Sequence, residues 1–180
     1  MNPQGALHLL ISFVFDLYIF LMLTRFLLQL VRADFYNPLS QFVVKATNPL
    51  LMPLRRLVPG YGGVDVAALM LVVALVLFKL LLLTMLVYGS VRVSPLALLV
   101  ATVTELARTL LNYLFWAIIL RIVLSWVSPD PRNPVTLVVA QLTEPVMAPA
   151  RKLLPPMGGL DLSPILILLA IQLIQAFFRL

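Results

Sequence analysis

Four polar side chains lie inside long apolar runs: Asp16, Lys79, Asn112 and Gln175. Ionisable groups in hydrocarbon are costly, so they pair with one another or mark a path for ions. Asp16 and Lys79 fall at similar depth, counted from the outer ends of their runs, and are expected to pair. Asn112 and Gln175 occupy the equivalent positions in the second half of the chain, where an amide pair would replace the ion pair. Two roles stay open for these residues: glue between neighbouring helices, or part of a proton or cation path. Arg25 and Arg121 form a second group, about two turns from the ends of their runs. They have the reach to snorkel, or to bond carbonyls of the following segment and the carboxylates of Asp65 and Asp161. Two readings stand for them as well. One is a clamp present in each half. The other is an anion or headgroup site shared with Arg55-Arg56 and Arg151-Lys152.

Other chemistry is sparse. His8 is the single histidine and there are no cysteines, so a usual zinc site cannot be assembled and no metal or cofactor is expected. No phosphate-binding loop, metalloprotease or nucleophile-elbow motif occurs. Gly60-Tyr61-Gly62-Gly63 reads as a loop breaker, because no strand precedes it. No nucleophile and base stand at readable spacing, so the chain is not expected to be an enzyme. Glu105 and Arg108 are placed to pair along one helix. Trp116 and Trp126 read as belt or packing residues.

The elements that carry these residues follow from composition. Of 180 residues, 62% are hydrophobic and 11% charged, with mean hydropathy +1.07. A soluble domain has about a quarter of its residues charged. This chain cannot cover a water-soluble globule, and what remains is an integral membrane protein. The net charge of +6 fits cytoplasmic loops against anionic lipid headgroups, and no nucleic-acid partner is expected.

Four runs reach the ~20 residues needed to cross a hydrocarbon core: about Pro3–Val31, Val66–Tyr88, Pro95–Val127 and Leu162–Phe178. The first has no Lys or Arg before it and no small-residue cleavage site after it, so it is expected to be retained as a spanning helix. The runs are unbroken, which favours helices over the alternating strands of a barrel. The fold class expected is therefore all-α, with four transmembrane helices.

Shifted by 96 residues, the sequence matches itself without a gap. From Leu17 to Leu69, 16 of 53 positions are identical. The matches include Arg25 with Arg121, Asp34 with Asp130, Thr47 with Thr143, Pro53 with Pro149 and Asp65 with Asp161. Shared greasiness does not produce identities of these types. The expected organisation is two parallel repeats, residues 1–90 and 91–180, each a helix, a proline-rich connector and a helix. The connectors are 32–65 and 128–161. Positive charge concentrates in them, which places them in the cytoplasm and both termini in the periplasm. Asn37 and Asn133 are expected to cap the connectors' first helices, and Asp65 and Asp161 to cap the next spanning helices. Thr47-Asn48-Pro49 is expected to open a second short helix within the first connector, and Thr143-Glu144-Pro145 its counterpart. The connectors read as interfacial amphipathic hairpins, as re-entrant segments or as docking surfaces for a partner.

The duplicated segments NPLSQFVVKATNPLLMPLRRLVPGYGGVD and NPVTLVVAQLTEPVMAPARKLLPPMGGLD resemble the YggT family of bacterial inner-membrane proteins, whose YlmG branch looks like a single copy of the repeat. The resemblance spans nearly the whole chain. It implies a multi-pass inner-membrane protein with associations to osmotic stress tolerance, potassium limitation and cell division, and in plastids to cofactor assembly on cytochrome b6. It carries over no catalytic residue. The halves differ at Asn48, which becomes Glu144, and at Phe35-Tyr36, which becomes Pro131-Arg132. The expected function is a non-enzymatic scaffold or assembly factor. Its partners would be anionic headgroups and a membrane protein or a second copy. The alternative is a small channel or transporter component for potassium or osmolytes.

Overall fold

Helix starts are written in proline. Its fixed φ and missing N–H suit the first helical turn, where the N–H has no intrahelical acceptor. In the computed structural model, which describes residues 3–90, 93–127, 130, 132–153 and 161–178, proline opens α1 (Pro3–Leu30), α2 (Pro38–Leu57), α4 (Pro95–Val127) and α5 (Pro134–Leu153). The remaining helices are α3 (Val66–Tyr88) and α6 (Ser163–Phe178). Among the described residues there are six helices and no strand. The predicted cap at Asn2, the glycines Gly158-Gly159, and the cations Arg92 and Arg179 lie outside the described residues.

Three helices are long and apolar enough to cross a membrane: α1, α3 and α4. This corrects the expectation of four. Helix α6 is strongly apolar, but its described length is 16 residues, or about 24 Å at 1.5 Å per residue. That falls short of a ~30 Å hydrocarbon core. Its helix starts at Ser163, after Asp161 and Leu162, one residue into an apolar run that was already at the short limit for crossing.

The connectors also depart from expectation. The residues from Asn37 to Leu57 do not break into two short helices at Thr47-Asn48-Pro49. They form the single helix α2, which carries Pro49 and Pro53 in its interior, and α5 likewise carries Pro145 and Pro149. Interior prolines each remove one backbone donor and crowd the preceding turn. Side-chain bonds brace the turn just before the first proline of each helix. Thr47 Oγ1 donates to the carbonyls of Val43 at 2.7 Å and Val44 at 3.3 Å. Thr143 repeats this toward Val139 and Ala140.

Helix ends are closed locally. Helix α1 stops with Arg32 at φ 52°, in the left-handed region, while Ala33 N–H reaches back to Leu28 O at 2.8 Å. Helix α3 starts at Asp65, whose carboxylate accepts from Ala68 N–H at 3.1 Å, and stops at left-handed Gly89.

Contacts group the chain into two compact units, Met1–Phe26 with Val43–Leu106, and Leu27–Phe42 with Ala107–Leu180. In the first, Ile19 and Met22 of α1, Leu51 of α2, and Ala67, Ala68, Val72 and Val76 of α3 form the core. In the second, Ile118 of α4, Met147 and Ala150 of α5, and Ile167 and Ile171 of α6 do so. Leu51 and Met147, 96 residues apart, are both fully buried. Each plants its connector helix against a long apolar helix. The outer faces of the long helices stay apolar, with Leu9, Phe13, Phe78 and Val100 more than half exposed. Such faces are compatible with lipid rather than water.

Candidate functional site

The connector helices are fastened by arginines from the long helices. Arg25 of α1 is only 5% exposed. Its Nη1 donates to Val44 O at 2.9 Å, Thr47 Oγ1 at 3.2 Å and Asn48 Oδ1 at 3.0 Å. Val44 lies one residue before Lys45, whose carbonyl Pro49 leaves without its helical donor, so the arginine braces the turn just before the proline. Arg121 of α4 meets α5 in the same way. Its Nη1 donates to Ala140 O at 3.5 Å, Thr143 Oγ1 at 2.8 Å and Glu144 Oε2 at 3.2 Å.

One substitution reroutes the rest of the network. In the first unit Asn48 is neutral, and Arg55 turns to Asp65, with Nε 3.1 Å from Oδ2 and Nη2 paired to the same oxygen. Asp65 thereby caps α3 and fixes the end of α2. In the second unit Glu144 takes the place of Asn48. It accepts from Arg121 and also from Arg151, whose Nη2 lies 2.6 Å from both carboxylate oxygens. Arg151 Nε keeps a looser ion pair, 3.9 Å, with Asp161. One arginine thus holds one carboxylate in the first unit, and two arginines share two carboxylates in the second. Burial works against the charged form of Glu144, but hydrogen bonds and charge from Arg151 and Arg121 outweigh it and hold its carboxyl below the ordinary value of 4.5. Asp161 is also lowered: burial is outweighed by its hydrogen bonds from Ser163 and the charges of Arg151 and Arg121.

Deeper along the long helices, Lys79 of α3 is almost enclosed. Its Nζ lies 2.7 Å from Asp16 Oδ1 on α1 and 2.8 Å from Glu105 Oε1 on α4. The ammonium therefore joins three helices. Glu105 was expected beside Arg108 and instead supplies the second carboxylate. In the other unit Gln175 Nε2 donates to Asn112 Oδ1 at 2.9 Å.

The remaining predicted positions act at helix starts. Asn37 Oδ1 accepts from Leu39 N–H and Asn133 Oδ1 from Val135 N–H, both at 2.9 Å. Asp161 Oδ1 accepts from Ser163 N–H at 2.9 Å. Asn37 Nδ2 also donates to Pro134 O at 2.8 Å, so the starts of α2 and α5 lie side by side within the second unit. Arg56 and Lys152 are exposed at the last turns of α2 and α5. Among the described residues, no three His, Asp or Glu side chains gather in a way that holds a metal. Three important residues carried little advance signal. Thr47 and Thr143 showed only their identity across the shift of 96. Glu105 is far from Lys79 in sequence and has an arginine close by.

Two outcomes follow. Lys79→Gln is expected to destabilise the detergent-solubilised protein by about 3–5 kcal/mol, because it leaves largely buried Glu105 without its cation, whereas Asp16→Asn, which removes a half-exposed carboxylate and leaves Lys79 paired with Glu105, should cost about 1 kcal/mol or less. The double variant still strands Glu105. The triple variant with Glu105→Leu copies the other half, where Leu9 lies 96 residues before Glu105, and should return to within about 1 kcal/mol of the parent. Thermal unfolding of the set checks this, and a double variant as stable as the parent contradicts it. The second outcome concerns pH. A carboxyl lowered in the folded state adds stability above its unfolded pKa and loses it as pH falls through the folded pKa. Relative to Glu144→Gln, the parent should be more stable at neutral pH by about 1 kcal/mol, a figure held down because this carboxylate is nearly half exposed. That advantage should vanish in acid below the ordinary glutamate range. A pH-independent difference between the two proteins contradicts it.

The family model described as CCB3/YggT matches residues 4–86 and 100–180, segments that begin 96 residues apart. An uncharacterized protein of Pseudomonas aeruginosa is 49% identical over 160 residues, covering 89% of this chain and 81% of its own. An uncharacterized protein encoded in the proC 3' region of Vibrio alginolyticus is 42% identical, covering 94% and 91%. The uncharacterized protein YggT of Escherichia coli strain K12 is 37% identical, covering 96% and 88%. No solved structure matches. With its duplicated proline-rich connectors and a match over most of its length, the chain belongs to the CCB3/YggT family.

Proposed function

We propose that this protein is a non-enzymatic scaffold or assembly factor of the bacterial inner membrane. In this reading the chain holds two parallel copies of one unit, residues 1–90 and 91–180, with α2 and α5 on the cytoplasmic face and the termini in the periplasm. The processes it would serve are those the resemblance implies, osmotic stress tolerance or cell division. One observation carries the proposal. Each connector is a single helix bolted by an arginine to a long helix, and its outer side is left exposed. Helix α2 presents Leu50, Met52 and Leu57 outward, each at least half exposed, and α5 presents Leu153. A rigid edge that mixes apolar residues with Lys45, Arg56 and Lys152 suits a partner at the membrane face. The partner expected is another membrane protein or a second copy.

The second reading is a small channel or transporter component for potassium or osmolytes. The enclosed Lys79 between two carboxylates favours it, since intramembrane charge clusters also line ion paths. The scaffold reading is preferred because the other half holds only an amide pair at the matching positions.

A photo-crosslinking residue at Leu57 or Leu153 in intact membranes should give a discrete protein adduct, while one at lipid-facing Phe13 should not. Adducts to lipid alone at all three positions contradict the scaffold. In proteoliposomes the parent should pass no ions, and a flux abolished in folded Lys79→Leu establishes the channel reading instead.

A further inference from the structure

The two connector helices carry grooves at matching places with opposite electrical character. The groove on α2, about 400 Å³, is lined by Lys45, Asn48, Pro49, Met52, Pro53 and Arg56. A groove of about 490 Å³ involves Gln141, Glu144, Pro145 and Ala148 of α5, each 96 residues beyond Lys45, Asn48, Pro49 and Met52. In the first, two cations flank the prolines and no carboxylate is present. In the second, the lysine is replaced by Gln141 and the asparagine by Glu144.

We propose that the α2 groove is a headgroup site for an anionic phospholipid, and that the α5 groove is closed to anions. Among the described residues, Lys45 and Arg56 are exposed and enter no ion pair, whereas Arg55, Arg121 and Arg151 are committed to carboxylates. Arg25 is likewise spent, on α2 itself. Lys45 and Arg56 lie eleven residues apart, three helical turns, and so share one side of α2. Asn48 stands between them. Its Oδ1 is occupied by Arg25, which turns the amide so that Nδ2 remains as a donor. Glu144 has no donor to offer at that place. Two cations and an amide N–H suit a phosphodiester. Half-exposed Leu50 and Met52 supply the apolar contact for an acyl chain that a free phosphate ion lacks.

The site rests on the reading that α2 lies at a membrane face, but not on the scaffold role. Lipid retention with no crosslinked partner would remove the scaffold and leave the site, and the reverse result would do the opposite. The test equilibrates the full chain with equal phosphatidylglycerol and phosphatidylcholine, exchanges it into mild detergent, and counts retained lipid by native mass spectrometry. The parent should retain one phosphatidylglycerol in preference to phosphatidylcholine. Lys45→Gln/Arg56→Gln should retain about thirtyfold less, following the attraction of about 1 kcal/mol per basic residue. The charge-matched variant Arg32→Gln/Arg132→Gln should stay within about twofold of the parent. All substituted positions are exposed, and circular dichroism confirms that the helices persist. Equal losses in the two double variants overturn the proposal, as does retention of phosphatidylcholine as readily as phosphatidylglycerol. So does binding of inorganic phosphate to lipid-stripped protein in place of the lipid.

Discussion

A proline inside a helix exposes backbone carbonyls, and near lipid those carbonyls need donors from within the protein. The structure depends on how this one requirement is met. Helices α2 and α5 each carry two interior prolines. In each, a threonine hydroxyl and an arginine guanidinium from a neighbouring long helix brace the turn just before the first proline. Arg25 is buried there, and Arg121 is a quarter exposed. The connector is thereby fixed to the long helix through polar bonds, and Leu51 or Met147 completes the join with apolar packing.

The same bolt in two electrical settings separates the halves. With Asn48, the first unit keeps Arg25 on neutral acceptors and sends Arg55 to the capping carboxylate of Asp65. With Glu144, the second unit neutralises both of its arginines locally. The deeper polar pairs diverge in the same spirit: a three-helix ion cluster at Lys79 in one, an amide–amide hydrogen bond between Asn112 and Gln175 in the other. Polar pairs of either kind join apolar helices that have no hydrophobic reason to prefer each other over lipid. The first unit is left with Lys45 and Arg56 uncommitted on the outside of α2, whereas on α5 the matching positions hold Gln141 and Lys152.

Much of this was legible in the residues. Helix starts announce themselves by proline after a capping side chain, as at Asn37-Pro38 and Asn133-Pro134. The partnership of Asp16 with Lys79 follows from counting depth along two apolar runs. Other features were not legible, for physical reasons. Interior prolines read as helix breaks because the brace just before them comes from Arg25, 19 residues from the carbonyl it meets. Glu105 has Arg108 one turn away, and sequence spacing favours that local pair over Lys79 on another helix. Helix α6 looks long enough as an apolar run, but its helix begins only after the Asp161 carboxylate takes Ser163 N–H.

Amide hydrogen exchange along α2 in lipid nanodiscs tests the central claim most directly. If Arg25 holds the proline-bearing turn closed, replacing it with methionine, which keeps the apolar stem and removes the donors, should speed exchange of the amides around Val43–Leu51 at least tenfold and leave α5 at its parental rate. Equal protection of α2 in the two proteins would show that the helix stands without the arginine, and the account of the connector would fail.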